Sequence, residues 1–278
     1  MRQFQDRVVA ITGAASGIGR ALAVDLARRG ASLALSDVDE VGLAETARLA
    51  SGPRVTTRRL DVADRTAVFA WAEEVAHEHG RVHVIVNNAG VALSATLANT
   101  PIADFEWLMG INFWGVVHGT QAFLPHLLRA EEGHVVNLSS VFGLIAVPSQ
   151  GAYNASKFAV RGFTEALRQE LADTKVRVTC VHPGGVRTNI ARRGRILEDE
   201  QGQALTAEAA ARDFEKVART SPEEAAAEIL AAMQAGAPRA LVGLDAKIID
   251  RMARLLPDSY DRVVRAFATR TKKSLRGS

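Results

Sequence analysis

The sequence predicts an α/β fold: a doubly wound, mostly parallel sheet with helices on both faces. First, short runs rich in Val, Ile and Leu alternate with longer amphipathic segments up to residue 243. Second, these runs are almost continuously apolar, which is typical of parallel strands buried on both faces. Third, a glycine-rich turn, TGAASGIGR, separates the first run from the first amphipathic segment. We therefore expect one domain in which strands and helices alternate.

Seven apolar runs are predicted as strands because of their length and their β-branched content. They cover residues 7–12, 32–36, 55–60, 82–87, 134–139, 176–181 and 239–243. The amphipathic segments between them predict helices over residues 19–29, 40–50, 64–79, 100–128, 151–173 and 222–234.

Two of these helices carry boundary signals. Thr100 is predicted to cap the long helix, with a proline at the first helical position. The same helix contains glycine and asparagine within 110–112, where we expect a kink. Ser221 and Glu224 match a capping box, again with proline at the first helical position.

Composition and charge exclude several functional classes. The 278 residues carry a formal net charge of +3, but residues 245–278 alone hold nine Lys and Arg against four Asp, a net +5. The excess charge therefore belongs to the tail, which argues against a nucleic-acid-binding domain. A single cysteine, Cys180, excludes an internal disulfide, and no Cys/His spacing suggests zinc. The sequence shows neither a signal peptide nor an apolar membrane span, so we expect a cytoplasmic protein.

The glycine-rich turn predicts a nucleotide site. Gly13, Gly17 and Gly19 allow the backbone to turn tightly and approach a pyrophosphate at the N-terminus of the next helix. Asp37 ends the second predicted strand, where a carboxylate can accept hydrogen bonds from the adenosine ribose and would repel a 2′-phosphate. No Arg or Lys occupies positions 16, 36 or 38. NAD is therefore the expected cofactor, with NADP as the alternative.

A second motif, GAYNASKFAV, places a tyrosine and a lysine four residues apart. Tyr153 and Lys157 share one face of the predicted helix. A nearby ammonium favours the ionised form of a phenol, which suits acid–base chemistry. Such pairs also occur on many surface helices, so the two residues alone leave both interpretations open.

Taken together and in order, these motifs resemble the short-chain dehydrogenase/reductase family. The matching pieces are TGAASGIG (12–19), Asp37, LDV (60–62), NNAG (87–90), Asn112, NLSS (137–140), YNASK (153–157) and HPGGVRT (182–188). The resemblance covers residues 1–243 and implies one catalytic, dinucleotide-binding domain with a seven-stranded Rossmann-type sheet. It also implies a nicotinamide cofactor over the strand ends and a homodimer or homotetramer. Residues 244–278 follow as a basic, amphipathic, helical extension.

The resemblance further implies a set of cofactor-binding residues. They are Gly13, Ser16, Gly17, Ile18, Gly19, Asp37, Asp61, Val62, Asn88, Tyr153, Lys157, Val186 and Thr188. Ser16 and Ile18 would contact the pyrophosphate and the nicotinamide end, and residues 61–62 would flank the adenine. Val186 and Thr188 would contact the nicotinamide amide.

The catalytic residues that the resemblance implies are Asn112, Ser140, Tyr153 and Lys157. Tyr153 would accept the alcohol proton as hydride leaves for the nicotinamide, or donate it in reduction. Ser140 would hold the substrate oxygen, and Asn112 would hold a water that links Lys157 to solvent. No metal ion is expected, since the tyrosine and the serine polarise the carbonyl between them.

The substrate is predicted to be an apolar secondary alcohol or its ketone. Two segments expected to frame the pocket, VALSATL (91–97) and VFGLIAVPSQ (141–150), are mostly apolar. A third, residues 189–214, mixes arginines with acids and is expected to form a mobile lid. The alternative is that its arginines contact an anionic group of the substrate. The main prediction is an NAD-dependent oxidoreductase. The alternatives are an NADPH-preferring ketone reductase and a non-catalytic nucleotide-sensing protein, which would usually lack an intact Ser-Tyr-Lys set.

The tail has an amphipathic pattern of its own. Apolar residues recur at helical spacing at Ile248, Ile249, Met252, Leu255 and Leu256, and after a proline at Tyr260, Val263, Val264 and Phe267. One interpretation is that these helices dock on the subunit or on a neighbouring copy. Peripheral attachment to an anionic membrane surface is the alternative.

Overall fold

The central sheet has the predicted parallel architecture. The computed structural model describes residues 3–130, 132–199 and 201–264. Within them the strands are β1 Val8–Thr12, β2 Ser32–Asp37, β3 Val55–Arg59, β4 Val84–Asn87, β5 Leu93–Ser94, β6 Gly133–Leu138, β7 Val176–Pro183, β8 Arg195–Ile196 and β9 Arg239–Val242. Seven of them form one parallel sheet in the order β3-β2-β1-β4-β6-β7-β9. The order reverses between β1 and β4, which is where ligands bind in such sheets.

The helices lie on both sides of this sheet. They are α1 Gly17–Arg28, α2 Glu40–Leu49, α3 Arg65–His79, α4 Ile102–Met109, α5 Gly115–Arg129, α6 Gly151–Glu170, α7 Ala207–Val217, α8 Pro222–Ala235 and α9 Leu244–Leu255. A π-helical turn, Gly110–Trp114, joins α4 to α5, and a 3-10 turn, Val141–Gly143, precedes α6. None of the helices built from the described residues is long and apolar enough to cross a membrane.

Two large apolar clusters of the described residues lie one on each face of the sheet, and a third, smaller one includes Leu93 and Leu108. Alternate residues of each central strand point to opposite faces, so Ile11 joins one cluster and its neighbour Ala10 the other. Helices α1 and α8 cover the first cluster, and α3 and α5 cover the second. This two-sided burial explains why the strands read as almost continuous apolar runs.

The helix boundary predicted at Thr100 is wrong by one residue. Pro101 has extended backbone angles and occupies the N-cap, and α4 begins at Ile102. The Thr100 hydroxyl instead donates a hydrogen bond to the Thr96 carbonyl at 2.8 Å, which keeps it in the preceding turn. The expected kink at 110–112 lies within the π-helical turn. The capping box is confirmed, because Ser221 and Glu224 exchange side-chain to backbone hydrogen bonds.

Two short strands and the orientation of the tail helix escaped sequence reasoning. Strands β5 and β8 have two residues each and pair in parallel outside the main sheet. Helix α9 buries Ala246 and Asp250, whereas Ile248 and Leu255, two members of its predicted apolar face, are 56% and 79% exposed. The predicted position Phe267 and the rest of 265–278 lie outside the described residues.

Candidate active site

The glycine-rich turn forms a backbone cradle at the carboxyl end of β1. Gly13 and Gly17 have positive φ angles of 67° and 55°, which favour glycine. At Gly19 a Cβ atom would collide with the carbonyl oxygen of Gly13. The side-chain amide of Asn88 donates to the carbonyls of Thr12 and Gly13, both at 2.9 Å. Asn88, which was expected to line the cofactor cleft, therefore holds the shape of the turn.

Asp37 faces the same turn from the end of β2. One carboxylate oxygen accepts the Ala15 N–H at 2.9 Å and the other accepts the Asp39 N–H at 3.0 Å. Each oxygen can accept a further hydrogen bond. The carboxylate is thus fixed beside the cradle, as recognition of a ribose diol requires.

Two arginines lie near the glycine-rich turn and Asp37. The sequence alone did not predict either of them there. Arg20 donates to Thr46 and to two backbone carbonyls. Arg193, from the expected lid, pairs with Asp39 at 2.5 Å. Asp39 also caps α2 by accepting the Gly42 N–H, and this hydrogen bond, together with Arg193, lowers its pKa below the usual value. Arg20 uses its Nε and one terminal nitrogen in these bonds, and Arg193 uses one terminal nitrogen.

The remaining predicted cofactor residues surround the cradle. Asp61 is exposed and accepts the Ala63 N–H, while Val62 is buried. Ser16 and Ile18 lie on the cradle and are partly exposed. Val186 and Thr188 follow β7, and a Cβ atom at Gly17 would lie 3.0 Å from the Thr188 methyl group. The structure therefore brings the loop after β7 against the glycine-rich turn after β1.

Ser140, Tyr153 and Lys157 meet at the carboxyl end of β6. Ser140 directly follows the strand region and caps the 3-10 turn, its hydroxyl oxygen accepting the Phe142 N–H at 3.1 Å. Tyr153 lies in the first turn of α6, and Lys157 one turn later. The Lys157 ammonium lies 5.6 Å from the centre of the Tyr153 ring and donates to the Leu138 carbonyl at 3.0 Å.

Burial opposes charge on both α6 residues. It raises the pKa of Tyr153 to about 12, although a hydrogen bond from Ser140 acts in the opposite direction. Burial lowers the pKa of Lys157 to about 8. The prediction that Lys157 and an oxidised nicotinamide ring together favour the phenolate concerns the protein with its cofactor bound, and it stays a prediction.

Asn112 is completely buried in the π-helical turn. Its side-chain oxygen accepts the Val91 N–H at 2.8 Å, and its amide donates to the Val91 carbonyl at 3.0 Å and to Ser156 at 3.3 Å. A Cβ atom at Gly90 would lie 3.2 Å from the Asn112 oxygen and 3.5 Å from the Lys157 nitrogen. The π-helical turn thus places Asn112 and Lys157 around the same glycine.

His182 contributes a positioning contact. Its ring nitrogen Nδ1 lies 3.0 Å from the Ser140 carbonyl oxygen. Burial lowers the pKa of the imidazole to about 4, so the ring is neutral near pH 7 and Nδ1 carries the proton that it donates. The histidine was expected to be packed or hydrogen-bonded, and it fixes the backbone that carries the serine.

Apolar and aromatic groups line the space beside Tyr153. The Phe142 ring meets the Tyr153 ring edge to face, with centres 6.2 Å apart. Leu93, Leu108 and Trp107 pack in the same cluster as Tyr153. Tyr153 is therefore surrounded by apolar side chains, and the apolar substrate pocket stays a prediction.

The segment expected to be a lid is anchored to the body of the protein. Arg195 lies 3.9 Å from the centre of the Trp107 ring and pairs with Asp104. Glu198 accepts hydrogen bonds from Thr96 and from the Asn99 side chain, each at 2.8 Å. The lid therefore rests on the segments around β5 and α4, contacts that no local motif signals.

Comparison with known proteins identifies the family. A family model described as short chain dehydrogenase matches residues 7–198. "Putative oxidoreductase SadH" of Mycobacterium tuberculosis is 51% identical over 271 residues, 96% of each chain. A short chain dehydrogenase/reductase from Burkholderia phymatum in complex with NAD has a TM-score of 0.83 and 34% identity, covering 91% of this chain and 95% of its own. Levodione reductase has a TM-score of 0.77 and 30% identity, covering 88% of this chain and 99% of its own.

The chain therefore belongs to the short-chain dehydrogenase/reductase family, and it is an oxidoreductase of that family. The resemblance seen in the motifs is confirmed. The seven-stranded Rossmann-type sheet that it implied is confirmed as well.

Proposed function

We propose that the protein is an NAD-dependent dehydrogenase that interconverts an apolar secondary alcohol and its ketone. The observation that carries the proposal is the meeting of Ser140, Tyr153 and Lys157 beside an apolar wall and across from the glycine-rich cradle. The structure from Burkholderia phymatum was solved with NAD, and levodione reductase is named for reducing a dione. The first name supports a nicotinamide cofactor here, and the second supports a carbonyl substrate.

The cradle fits the proposed cofactor. Glycines line the turn, where a Cβ atom at 19 would clash, and Asp37 offers free acceptor capacity to a ribose diol. The Asp37 carboxylate would repel a 2′-phosphate, which supports NAD over NADP. A nicotinamide ring bound there would accept the hydride in oxidation and return it in reduction.

The chain's own residues position the substrate and move the proton. The Ser140 hydroxyl accepts the Phe142 N–H and hydrogen-bonds Tyr153, which places it to bind the substrate oxygen beside the phenol. The Tyr153 phenolate accepts the alcohol proton in oxidation, and the hydroxyl that forms returns it in reduction. Lys157, with a pKa of about 8, is largely charged at neutral pH and favours the phenolate. Asn112 holds the Val91 backbone beside Lys157 and completes the proposed route to solvent.

The first test is Tyr153→Phe, which removes the hydroxyl and keeps the ring. We expect kcat for a secondary alcohol to fall by a factor of about 10² to 10⁴, the usual contribution of a general acid–base group. Affinity for NADH, measured by fluorescence titration, should change by less than about threefold, or about 0.7 kcal/mol. A variant that keeps full turnover would show that another group moves the proton.

The second test concerns the cofactor. We expect NADH to bind at least about tenfold more tightly than NADPH, a difference of about 1.4 kcal/mol. Asp37→Ala removes the repulsion of the 2′-phosphate, so the variant should narrow this gap. Tighter binding of NADPH by the unmodified protein would contradict the role proposed for Asp37.

A further inference from the structure

The segment that follows the last strand touches both sides of the candidate active site. Helix α9 packs against β9 and against the Val141–Gly143 turn that Ser140 caps. In its first turn, the Asp245 carboxylate accepts the Gly185 N–H at 2.6 Å. Beyond its end, the Tyr260 hydroxyl oxygen accepts the Ala146 N–H at 3.1 Å. Residues 244–260 therefore bridge two loops that come from different strands.

Each contacted loop carries proposed site residues. Gly185 directly precedes Val186 and lies three residues before Thr188, the pair expected to contact the nicotinamide amide. Ala146 lies between Ser140 and Tyr153, in the apolar loop that joins them. Asp245 thus binds the loop proposed to contact the cofactor, and Tyr260 binds the loop proposed to contact the substrate.

The substrate-side loop has few other ties near Ala146. The Asn154 side chain donates to the Val147 carbonyl at 3.0 Å, which links the loop to α6. Ala146 itself is exposed, so without Tyr260 its N–H would face water. The hydroxyl of Tyr260 therefore ties the middle of the loop to the segment beyond α9.

An ion-pair network holds α9 against strand β9. Asp250 is only 8% exposed and pairs with Arg239 of β9 at 2.6 Å and with Arg254 at 3.0 Å. Burial acts to raise the pKa of Asp250, but the two arginines outweigh it and lower the pKa. A buried carboxylate that loses its partner is strongly destabilised, so the pairing fixes how α9 lies on the sheet.

We propose that residues 244–260 form part of the active-site rim, in which Asp245 positions the cofactor loop and Tyr260 positions the substrate loop and thereby selects among substrates by size. The inference rests on the proposed function. It deepens that proposal by assigning substrate selection to a residue more than a hundred positions after Tyr153. Bulky apolar alcohols, which contact more of the 141–150 loop than small ones, depend most on Tyr260.

Two variants separate the two contacts. Tyr260→Phe keeps the ring and loses the acceptor, so KM for a bulky secondary alcohol should rise about 3- to 10-fold, the effect of one hydrogen bond. The kcat of this variant and its affinity for NADH should stay within about twofold of those of the unmodified protein. Asp245→Ala should weaken NADH binding about 3- to 10-fold, and Asp245→Asn, which retains an acceptor, should restore it. If the two residues had only a structural role, both variants would change both the KM for the bulky alcohol and the affinity for NADH. That result would overturn the proposal.

Hydrogen exchange tests the Tyr260 contact without any turnover. The Ala146 amide should exchange faster in Tyr260→Phe than in the unmodified protein, because it loses its acceptor. Arg262→Ala, an exposed change two residues further on, should leave that amide unchanged. Unchanged exchange in Tyr260→Phe overturns the contact, and faster exchange with an unchanged KM for the bulky alcohol overturns the selective role. If the unmodified protein oxidises no alcohol, the proposed function fails, while exchange still decides the contact.

Discussion

At the scale of single residues, the candidate site depends on two ionisable side chains, Tyr153 and Lys157, whose burial disfavours their charged forms. Lys157 is 4% exposed, and its ammonium donates to one backbone carbonyl, that of Leu138. Tyr153, beside it, has a pKa raised to about 12. Burial therefore keeps Tyr153 neutral in the folded chain, while Lys157 is still largely charged at pH 7. A cationic nicotinamide ring beside them would favour the phenolate.

The lowered pKa of Lys157 makes stability depend on pH. The folded state holds this proton less tightly than the unfolded state, so Lys157 destabilises the fold below pH 8, and this cost declines as the pH rises toward 10.5. Lys157→Met removes the cost. Relative to that variant, the free energy of unfolding of the unmodified protein should rise by about 1 kcal/mol between pH 7 and pH 9. Urea denaturation at both pH values measures the difference, and a constant difference would mean that the Lys157 pKa is not lowered.

At the scale of elements, close packing of α5 on the sheet positions the site. A Cβ atom at Gly119 would collide with the side-chain oxygen of Asn87. Asn87 in turn donates to Thr120 at 3.1 Å and to Asn137 of β6 at 2.8 Å. The glycine lets α5 approach until this buried polar network closes between β4 and β6, whose carboxyl ends carry Asn88 and Ser140.

Gly119→Ala should therefore destabilise the protein. We expect a loss of about 1–3 kcal/mol, because the added methyl group overpacks a buried, hydrogen-bonded site. Gly162→Ala in α6 is the matched control, since no atom outside its own helix backbone lies within 4 Å of the added Cβ. That change should be neutral or stabilising by up to about 1 kcal/mol through helix propensity. Equal losses in urea denaturation would contradict the role of Gly119.

At the scale of the whole molecule, exposed apolar residues mark surfaces that the described chain leaves open. Trp114 and Phe158 are 51% and 40% exposed on adjoining helical segments. Leu255, on α9, is 79% exposed. Apolar surface of this kind often belongs to an interface. It supports the proposal of an assembly of two or four subunits, and leaves the tail's contact with a neighbouring copy or a membrane as alternatives.

We expect sedimentation velocity to show a dimer or a tetramer. Phe158→Glu places a charge on the proposed interface and should shift the protein toward smaller species, because a buried unpaired carboxylate is costly. Val41→Glu, at a position that is 83% exposed on α2, is the control and should leave the sedimentation coefficient unchanged. NADH titration of both variants reports whether the cofactor site still folds. A monomer at micromolar concentration would contradict the assembly.

Much of the fold could be predicted because its signals are local. Apolar runs, the glycine-rich turn and the capping box at Ser221 each act within a few residues, and all appear where they were expected. The spacing of Tyr153 and Lys157 likewise fixes their shared face once the helix forms. The proposed domain boundary near residue 243 remains a prediction, as do the roles of the individual site residues.

The sequence by itself determined the order of the seven main strands and of the helices between them, and the residue types at the site, because backbone preferences and hydrophobic periodicity operate over short distances. Only the tertiary structure decided that Arg193 pairs with Asp39 and that Asp245 reaches Gly185. Partners so distant in the chain meet only after the sheet, the lid and the tail have packed, and no local pattern encodes that meeting. The high pKa of Tyr153 has the same origin, since burial is a property of the folded surroundings.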